Sequence, residues 1–520
     1  MNCMYHYDSL PYASDPFAET HPQTLAMLAQ LLGVPAAPAA ACRVLELGCA
    51  AGGNLIPMAW HLRGSEFVGI DLEQRHVDEG RSVIAELDLQ NITLRQGDIA
   101  LLGEELGEFD YIIAHGVFSW VPQAVREAML SLYGRLLKPQ GIGYISYNTS
   151  PGWHVRGMVR EMVLFHTRGI DDPLARLNAA MAFIDMYAET LRSQTAPLSR
   201  HLLLELESLQ VAHPSYVYHE YLEADNQPLL FSDFVGLAGR HGLRYLCESR
   251  LESMFPSGLG EQAERFLERL DGSASHEQYL DFFSQRTFRQ TLLVHDNVRP
   301  DYDIDLERLE GLACASNLTP PTRLDLRGAT AQTFVTTDGR DISVADPVAK
   351  AMLAALYESY PSALSLHVVS VAAREVVTRA SRRHGATVGD AWHGELFGLY
   401  ANCLVQLVPE PQHLDNAVPA LPHLNALGRS WLARGAQNLP TVWHQPLNLD
   451  AFARRLAGHL DGRHDRAALL QQLHDDIANG QLALPGSVPA AARLHKVVAS
   501  NLDRLLALFA QNGILARGGD

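Results

Sequence analysis

The run Val44-Leu45-Glu46-Leu47-Gly48-Cys49-Ala50-Ala51-Gly52-Gly53 decides the fold. Its apolar first half reads as a buried strand with an acid near its tip. A loop of small residues follows, and then the start of a helix. Such a loop lets a ligand touch the backbone, because no side chain blocks the approach. A second apolar strand, Phe67-Val68-Gly69-Ile70, ends in Asp71. An acid at that tip is where a Rossmann-type sheet holds ribose hydroxyls. Together the two features point to nucleoside binding.

Outward from this pair, strands and helices alternate over 42–148, the pattern of a parallel sheet covered on both faces. Strands are predicted at 43–47, 66–70, 91–96, 109–114 and 142–148, with helices near 53–63, 73–87 and 122–137. Upstream, residues 1–19 are irregular and aromatic. A helix then starts with Thr20 as cap and Pro22 in its first turn, carries Leu25, Leu28 and Leu32 on one face, and stops at Gly33. Residues 34–41, VPAAPAAA, form a linker.

Downstream the pattern changes. Residues 153–168, 172–193 and about 198–211 read as successive helices with no strand between them. A helix from Ser232 to Gly239 and strands at 243–247 and 291–295 are expected to return to the first sheet and complete it. The three helices would then sit as an insertion over the strand ends. In the last third, 334–337 followed by Asp338-Gly339 predicts a hairpin. The helix 346–358 and the apolar run 397–408 suggest a winged-helix module, followed by two amphipathic helices around Asp461-Gly462.

Composition narrows the function. In 520 residues, 59 acids against 41 bases give a formal charge of −18, which disfavours nucleic acid as a partner. No uncharged apolar run approaches the ~18 residues of a membrane span, and the N-terminus lacks a secretory pattern. Six cysteines without a CxxC pair read as reduced thiols, and a cytoplasmic location is expected. The histidines show no metal-ligand spacing, so no metal is expected.

Spacing alone does not separate a dinucleotide from S-adenosylmethionine. Gly48, Ala50 and Gly53 approximate G-x-G-x-x-G, while Gly48, Ala50 and Gly52 fit a looser loop equally well. Three features favour the sulfonium ligand. Glu46 would be repelled by a pyrophosphate and attracted by an ammonium or sulfonium. Asp98, after the third strand, can accept a hydrogen bond from an adenine amino group. His115 ends the fourth strand, and residues at strand C-termini line the ligand crevice.

The segments ELGCAAGG, GIDL, GDI, FDYIIAHGVFSWVP and NTSPGWH resemble those of class I S-adenosylmethionine-dependent methyltransferases. YDSLPYASDPFAETHP near the N-terminus and DFFSQRTFRQTLLVH at 281–295 narrow the resemblance to bacterial enzymes with a methyltransferase regulatory domain. That group includes rickettsial protein lysine methyltransferases acting on outer-membrane proteins. The resemblance covers essentially the whole chain, best over 5–170 and 215–296. It implies an α/β fold: a Rossmann-like class I methyltransferase sheet with a helical insertion and a C-terminal α+β winged-helix-like region. The expected division is an N-terminal lid and helix (1–41), a donor-binding core (42–150), the insertion (151–212), a regulatory-type segment completing the sheet (213–298) and the C-terminal domain (299–520).

The resemblance also implies roles. Glu46, Gly48, Cys49, Ala50, Gly52 and Asn54 would surround the methionine end of the donor. Asp71 and Leu72 would take the ribose, Asp98 and Ile99 the adenine, and His115 the region near the sulfonium. Tyr7 would reach the donor from an N-terminal lid. His115, Trp120, Tyr147, Asn148 and Trp153 are the candidates for the acceptor side. Methyl transfer is an in-line displacement, so the enzyme aligns the reacting atoms and excludes water. A lysine acceptor must first lose a proton, which at pH 7 costs roughly 4.6 kcal/mol from a reference pKa of ~10.4. The favoured reading is methylation of protein side chains, with a small-molecule methyltransferase and a non-catalytic donor-binding regulator as alternatives. A protein or peptide partner is expected, with a homo-oligomer possible.

Overall fold

The computed structural model describes residues 15–255, 258–270, 273–337, 339–381, 391–483 and 491–516. Tyr7 and Tyr12, and the basic residues Arg382, Arg383 and His384, lie outside the described residues. One sheet organises the N-terminal half: β1 (Arg43–Leu47), β2 (Glu66–Asp71), β3 (Ile92–Gln96), β4 (Phe109–Ala114), β5 (Leu137–Asn148), β6 (Leu243–Glu248) and β7 (Phe288–His295). Their order is β3-β2-β1-β4-β5-β7-β6. The first five run parallel, and β7 runs antiparallel to both β5 and β6.

The strands are near-continuous apolar runs because both faces are covered. Val44, Leu45 and Leu47 of β1 and Tyr111, Ile112 and Ile113 of β4 are fully buried. Parallel neighbours need crossovers, supplied by α2 (Leu55–His61), α3 (Gln74–Glu86) and α4 (Gln123–Leu136). Before the sheet lies α1 (Pro22–Leu31), whose cap is His21, not Thr20: the imidazole accepts the Gln23 N–H at 3.3 Å. Thr20 is occupied elsewhere, in the donor-side site described below. β5 begins five residues earlier than 142, so the stretch around Gly141 belongs to a strand.

The insertion contains α5 (His154–His166), α6 (Pro173–Arg192) and α7 (Pro197–Val211), together with an unforeseen α8 (Pro214–Tyr221). Val163, Ile184, Leu206 and Val217 form a core of their own, so α8 packs with the insertion although its sequence follows 212. The chain then returns through α9 (Phe231–Gly239), β6, α10 (Glu261–Leu267), α11 (Ser273–Ser284) and β7, completing the sheet as expected.

An ion cluster holds this returning segment. Arg289 of β7 is buried, donates to Glu248 of β6 and to Glu277 and Asp281 of α11, and lies over the Phe231 ring at 4.1 Å. Arg286 reaches Asp281 at 3.2 Å. Burial pushes the Glu277 carboxyl up to about 7, with Arg289 opposing.

The C-terminal third begins with β8 (Ala313–Ala315), β9 (Gln332–Val335) and β10 (Asp341–Val344), the last two forming the foreseen hairpin. Then come α12 (Pro347–Ser359), β11 (Leu364–Ser365), α13 (Leu366–Ser381), α14 (Trp392–Ala401) and β12 (Gln406–Val408), with β8 between β11 and β12. The final group is α15 (Ala426–Ala433), the hairpin β13 (Asn438–Pro440) and β14 (Pro446–Asn448), α16 (Ala451–His459), α17 (Arg466–Ala478) and α18 (Ala491–Gln511). A single apolar core joins this third to the sheet, running from Leu28 and Val44 to Leu407 and Leu506.

Arg289→Met leaves Glu248 and Glu277 without their cation and Asp281 with Arg286 alone, and a loss of about 3–5 kcal/mol is expected in urea unfolding at pH 7.5. The loss should shrink at pH 5.5, where Glu277 binds a proton in the folded state. A loss below about 1 kcal/mol at pH 7.5 would show that the cluster does not hold the segment.

Candidate active site

The small-residue loop after β1 turns by placing alternate residues in the left-handed region: Gly48 at φ +73°, Ala50 at +47° and Gly52 at +79°. Two of the three are glycine, for which that conformation carries no steric cost. Ala50 is held there by a specific bond, its N–H donating to Asp71 Oδ2 at 2.8 Å. The N–H groups of Gly48 and Cys49 both reach Ile70 O, at 2.8 and 3.1 Å. Asp71 Oδ1 accepts the Glu73 N–H at 3.0 Å and lies 3.6 Å from His76 Nδ1, and this partner raises the His76 pKa. The second-strand acid therefore fixes the loop and still presents free lone pairs. Cys49 is buried, and desolvation holds its thiol well above the ordinary value. It is a space-filling loop residue here.

Glu46 is 4% exposed. Its Oε1 accepts the Asn54 Nδ2–H at 2.8 Å, while Oε2 is buried with no hydrogen-bond partner among the described residues. Burial pushes this carboxyl up to about 7; the Asn54 bond opposes the shift and Asp71 adds to it. A buried carboxylate with one open oxygen is costly unless a ligand supplies a donor. Asn54 is itself enclosed. Its Oδ1 accepts from Phe17 N–H at 3.0 Å and from His444 Nε2 at 2.7 Å, and its Nδ2 reaches Thr20 Oγ1 at 3.0 Å.

His115, just beyond β4, has Nδ1 2.8 Å from Tyr144 Oη and its ring stacked on Phe17 at 4.0 Å. Desolvation lowers its pKa to about 4, so the imidazole is neutral. Phe288 meets the same ring edge-on at 6.2 Å. Residues 17–20 thus lie against the donor-loop side of the site, as a lid drawn from the N-terminal segment would. Leu72 and Asp98 are exposed and Ile99 half-buried. Asp98 Oδ1 accepts the Ala100 N–H at 2.9 Å, which sets the turn after β3.

The acceptor-side candidates separate into two groups. Trp120 and Trp153 meet edge to face at 6.3 Å. Asn148 donates from Nδ2 to Asn226 Oδ1 at 3.2 Å, and its N–H reaches Ser119 Oγ at 2.8 Å. Ser119 and Asn226, with Arg126 and Asp225, line a cavity of about 400 Å³. Tyr147 is different: it points into the core, stacked on Phe234 at 4.2 Å and beside Phe118. Side chains alternate along a strand, and this one falls on the face covered by α9, so here Tyr147 is a packing residue. A second cavity of about 520 Å³ opens beside Phe288, lined by Arg250, Glu252, Arg286 and Gln290. Among the described residues, no cluster is placed to hold a metal ion.

Sequence reasoning missed Thr20, His21, Tyr144 and His444 as parts of this site. Tyr144 was accessible, because it shares β5 with Ser146 and Asn148. His444 had no local signal, since its partner Asn54 is hundreds of residues away.

The strand order, the reversed β7 and the small-residue loop beside two acidic strand tips define a class I S-adenosylmethionine-dependent methyltransferase. The family model described as "Methyltransferase domain" matches residues 44–141, "Predicted methyltransferase regulatory domain" matches 213–295, and "PKMT, C-terminal winged helix domain" matches 421–514. The chain is 28% identical over 526 residues to an uncharacterised protein of Rickettsia prowazekii (strain Madrid E), covering 98% of this chain and 93% of that one. A second uncharacterised protein of the same organism is 32% identical over 240 residues, 46% of this chain and 96% of the relative. The structure of PKMT2 from Rickettsia typhi in complex with AdoHcy superposes with a TM-score of 0.83 at 25% identity, over 97% of this chain and 100% of that chain. The chain belongs to this family of methyltransferases with a regulatory domain and a C-terminal winged helix. The winged helix is the final group from α15 to α18, and not the region around 346–408 where the sequence pattern suggested it.

Gly48→Ala would place a Cβ 2.5 Å from Val117 Cγ2 at a positive φ. The expected loss is about 1–2 kcal/mol from the left-handed backbone plus about 1–3 kcal/mol from crowding. Adding Val117→Ala should recover only the crowding part in thermal or urea unfolding. Full recovery would show that backbone conformation is not limiting at Gly48.

Proposed function

We propose that this protein is a protein lysine methyltransferase that takes its methyl group from S-adenosylmethionine and acts in the cytoplasm. The observation that carries the reading is the open, buried oxygen of Glu46 beside a loop of small residues. The donor set fits the cofactor: a carboxylate for the ammonium of the methionine end, Asp71 for ribose hydroxyls, and Asp98 with Ile99 for the adenine edge. Gly48, Ala50 and Gly52 leave the backbone open to the donor, with Leu72 at the ribose side. When bound, S-adenosylmethionine supplies an electrophilic methyl on a positively charged sulfur.

The chain's own residues then have to align an amine and keep it neutral. Phe17, His115 and Phe288 form an aromatic wall; desolvation behind it disfavours a lysine ammonium, against the cation–π attraction of the ring faces. His115 is a weak base, with its pKa lowered to about 4, so its role is to orient through a hydrogen bond rather than to remove the proton. Trp120, Asn148 and Trp153, near the cavity by Ser119, are proposed to guide the acceptor. Support for a protein acceptor comes from the likeness to PKMT2 of Rickettsia typhi, which extends through the helical insertion and the winged helix. No described helix is long and apolar enough to cross a membrane.

Incubation with methyl-labelled donor and a bacterial protein extract should place label on lysines of protein bands. Label confined to small solutes would overturn the protein acceptor while leaving the donor assignment standing.

The Glu46 carboxyl gives a pH signature. Burial lifts it in the folded protein from the ordinary 4.5 to about 7, so the ligand-free protein should lose stability as pH rises from about 4.5 through 7. A cationic ligand group prefers the ionised carboxylate. Affinity for S-adenosylhomocysteine should therefore rise between pH 6 and 7.5, with proton release seen as a buffer-dependent enthalpy in calorimetry. Glu46→Gln should bind weakly with no such rise, and an unchanged profile would remove Glu46 from the donor site.

A further inference from the structure

The winged-helix domain reaches the donor loop through one side chain. The β13–β14 hairpin turns over residues 441–445, closed by Thr441 N–H to Gln445 O at 3.0 Å and His444 N–H to Thr441 O at 3.0 Å. His444 sits at this turn with φ +55°, a conformation that costs a non-glycine residue energy and persists only where surroundings impose it. It is 3% exposed. Its Nε2 lies 2.7 Å from Asn54 Oδ1. An amide oxygen only accepts, so Nε2 carries the proton and donates.

That bond decides which way the Asn54 amide faces. With Oδ1 turned toward His444 and the Phe17 N–H, Nδ2 faces Glu46 Oε1 at 2.8 Å. The flipped amide would set an oxygen against the carboxylate and Nδ2 against two donors. We propose that His444 is a positioning residue for methyl-donor binding: through Asn54 it holds the Glu46 carboxylate oriented, so that the C-terminal winged-helix domain forms part of the donor site. This rests on the donor assignment made above.

The hairpin is anchored for this task. Asn438 Nδ2 donates to Asp15 Oδ1 at 2.9 Å, Val442 N–H reaches Asn512 O at 3.0 Å, and Arg434 of α15 pairs with Glu86 of α3 at 2.7 Å. The charged and titratable groups around the relay come from several elements. Asp71 and Cys49 face Glu46 from β2 and the loop, and Tyr133 faces it from α4. His21 and His61 face His444, with the His21 ring 5.0 Å away. Desolvation lowers the pKa of both His21 and His444. Both are therefore uncharged near neutrality, and the relay works through hydrogen bonds.

The test uses the full chain with S-adenosylhomocysteine as probe, measured by calorimetry from pH 6 to 8. His444→Ala should weaken binding about fivefold, the size of one hydrogen bond between neutral groups. It should also move the pH of half-maximal affinity upward, because Glu46 loses the donor that favours its ionised form. His444→Gln, which keeps an N–H donor, should restore much of both. Asn438→Ala, at the foot of the hairpin, controls for loosening: it should lower thermal stability without moving the pH midpoint. If His444→Ala does not fold, the inference stands or falls on whether the folded His444→Gln and Asn54→Ser variants shift the midpoint less and more, respectively. An unchanged affinity and midpoint in folded His444→Ala would overturn the relay alone. Absence of probe binding by the unaltered protein would overturn the donor assignment, and the relay with it.

Discussion

Burial of the Glu46 carboxylate is the constraint from which the surrounding structure follows. A carboxylate at 4% exposure needs hydrogen-bond donors, and β1 can offer none because its backbone is committed to β2 and β4. Asn54, at the start of α2, supplies one. An asparagine amide also has an acceptor side, and that side must be met as well. Phe17 meets it from the N-terminal segment and His444 from the far end of the chain. One buried charge thus draws together three regions that sequence separates widely. The convergence explains why the apolar core does not stop at the edge of the sheet but continues into the C-terminal third.

How much of this was legible depends on the range of the forces involved. β1 and β4 appear where their apolar runs predicted them, and β2 within a residue, because a doubly covered strand must be apolar on both faces. The acidic tips and small loop were legible for the same local reason. Thr20 was misread as a helix cap because its hydroxyl is spent on Asn54 and on Phe17 O, partners that no local pattern reveals. Tyr147 was misread because aromatic residues after a ligand-edge strand look alike whichever face they take. Strand parity assigns this one to the face under α9. The winged helix was sought around 346–408 because helices and a short strand occur there in a similar sequence. Its hairpin strands, Asn438–Pro440 and Pro446–Asn448, contain prolines and are too short to register as strands.

The segment matched by the regulatory-domain model has a clear structural duty. It contributes β6 and β7, without which β5 would be an exposed edge of the parallel sheet. Arg289 ties β7 to β6 and α11 by satisfying carboxylates from both. The start of β7 reaches further: Phe288, next to Arg289, meets the ring of His115. A shift of β7 would therefore be felt at the His115 ring.

The two buried ionic sites differ in a way that separates structure from function. Around Arg289, the guanidinium meets Glu248, Glu277 and Asp281, and the Glu248 carboxylate also takes the Gln290 N–H and the Thr291 hydroxyl. Each carboxylate of the cluster meets a guanidinium, Arg289 or Arg286, and these bonds tie the strands and α11 together. Around Glu46, one oxygen has no hydrogen-bond partner among the described residues, and Asp71 makes ionisation harder. A fold that compensates one buried carboxylate so fully has the means to compensate the other. An open carboxylate oxygen in a buried place costs stability in the free protein unless a hydrogen-bond donor reaches it. In the function proposed above, the ammonium of the methyl donor is the group that fills that place.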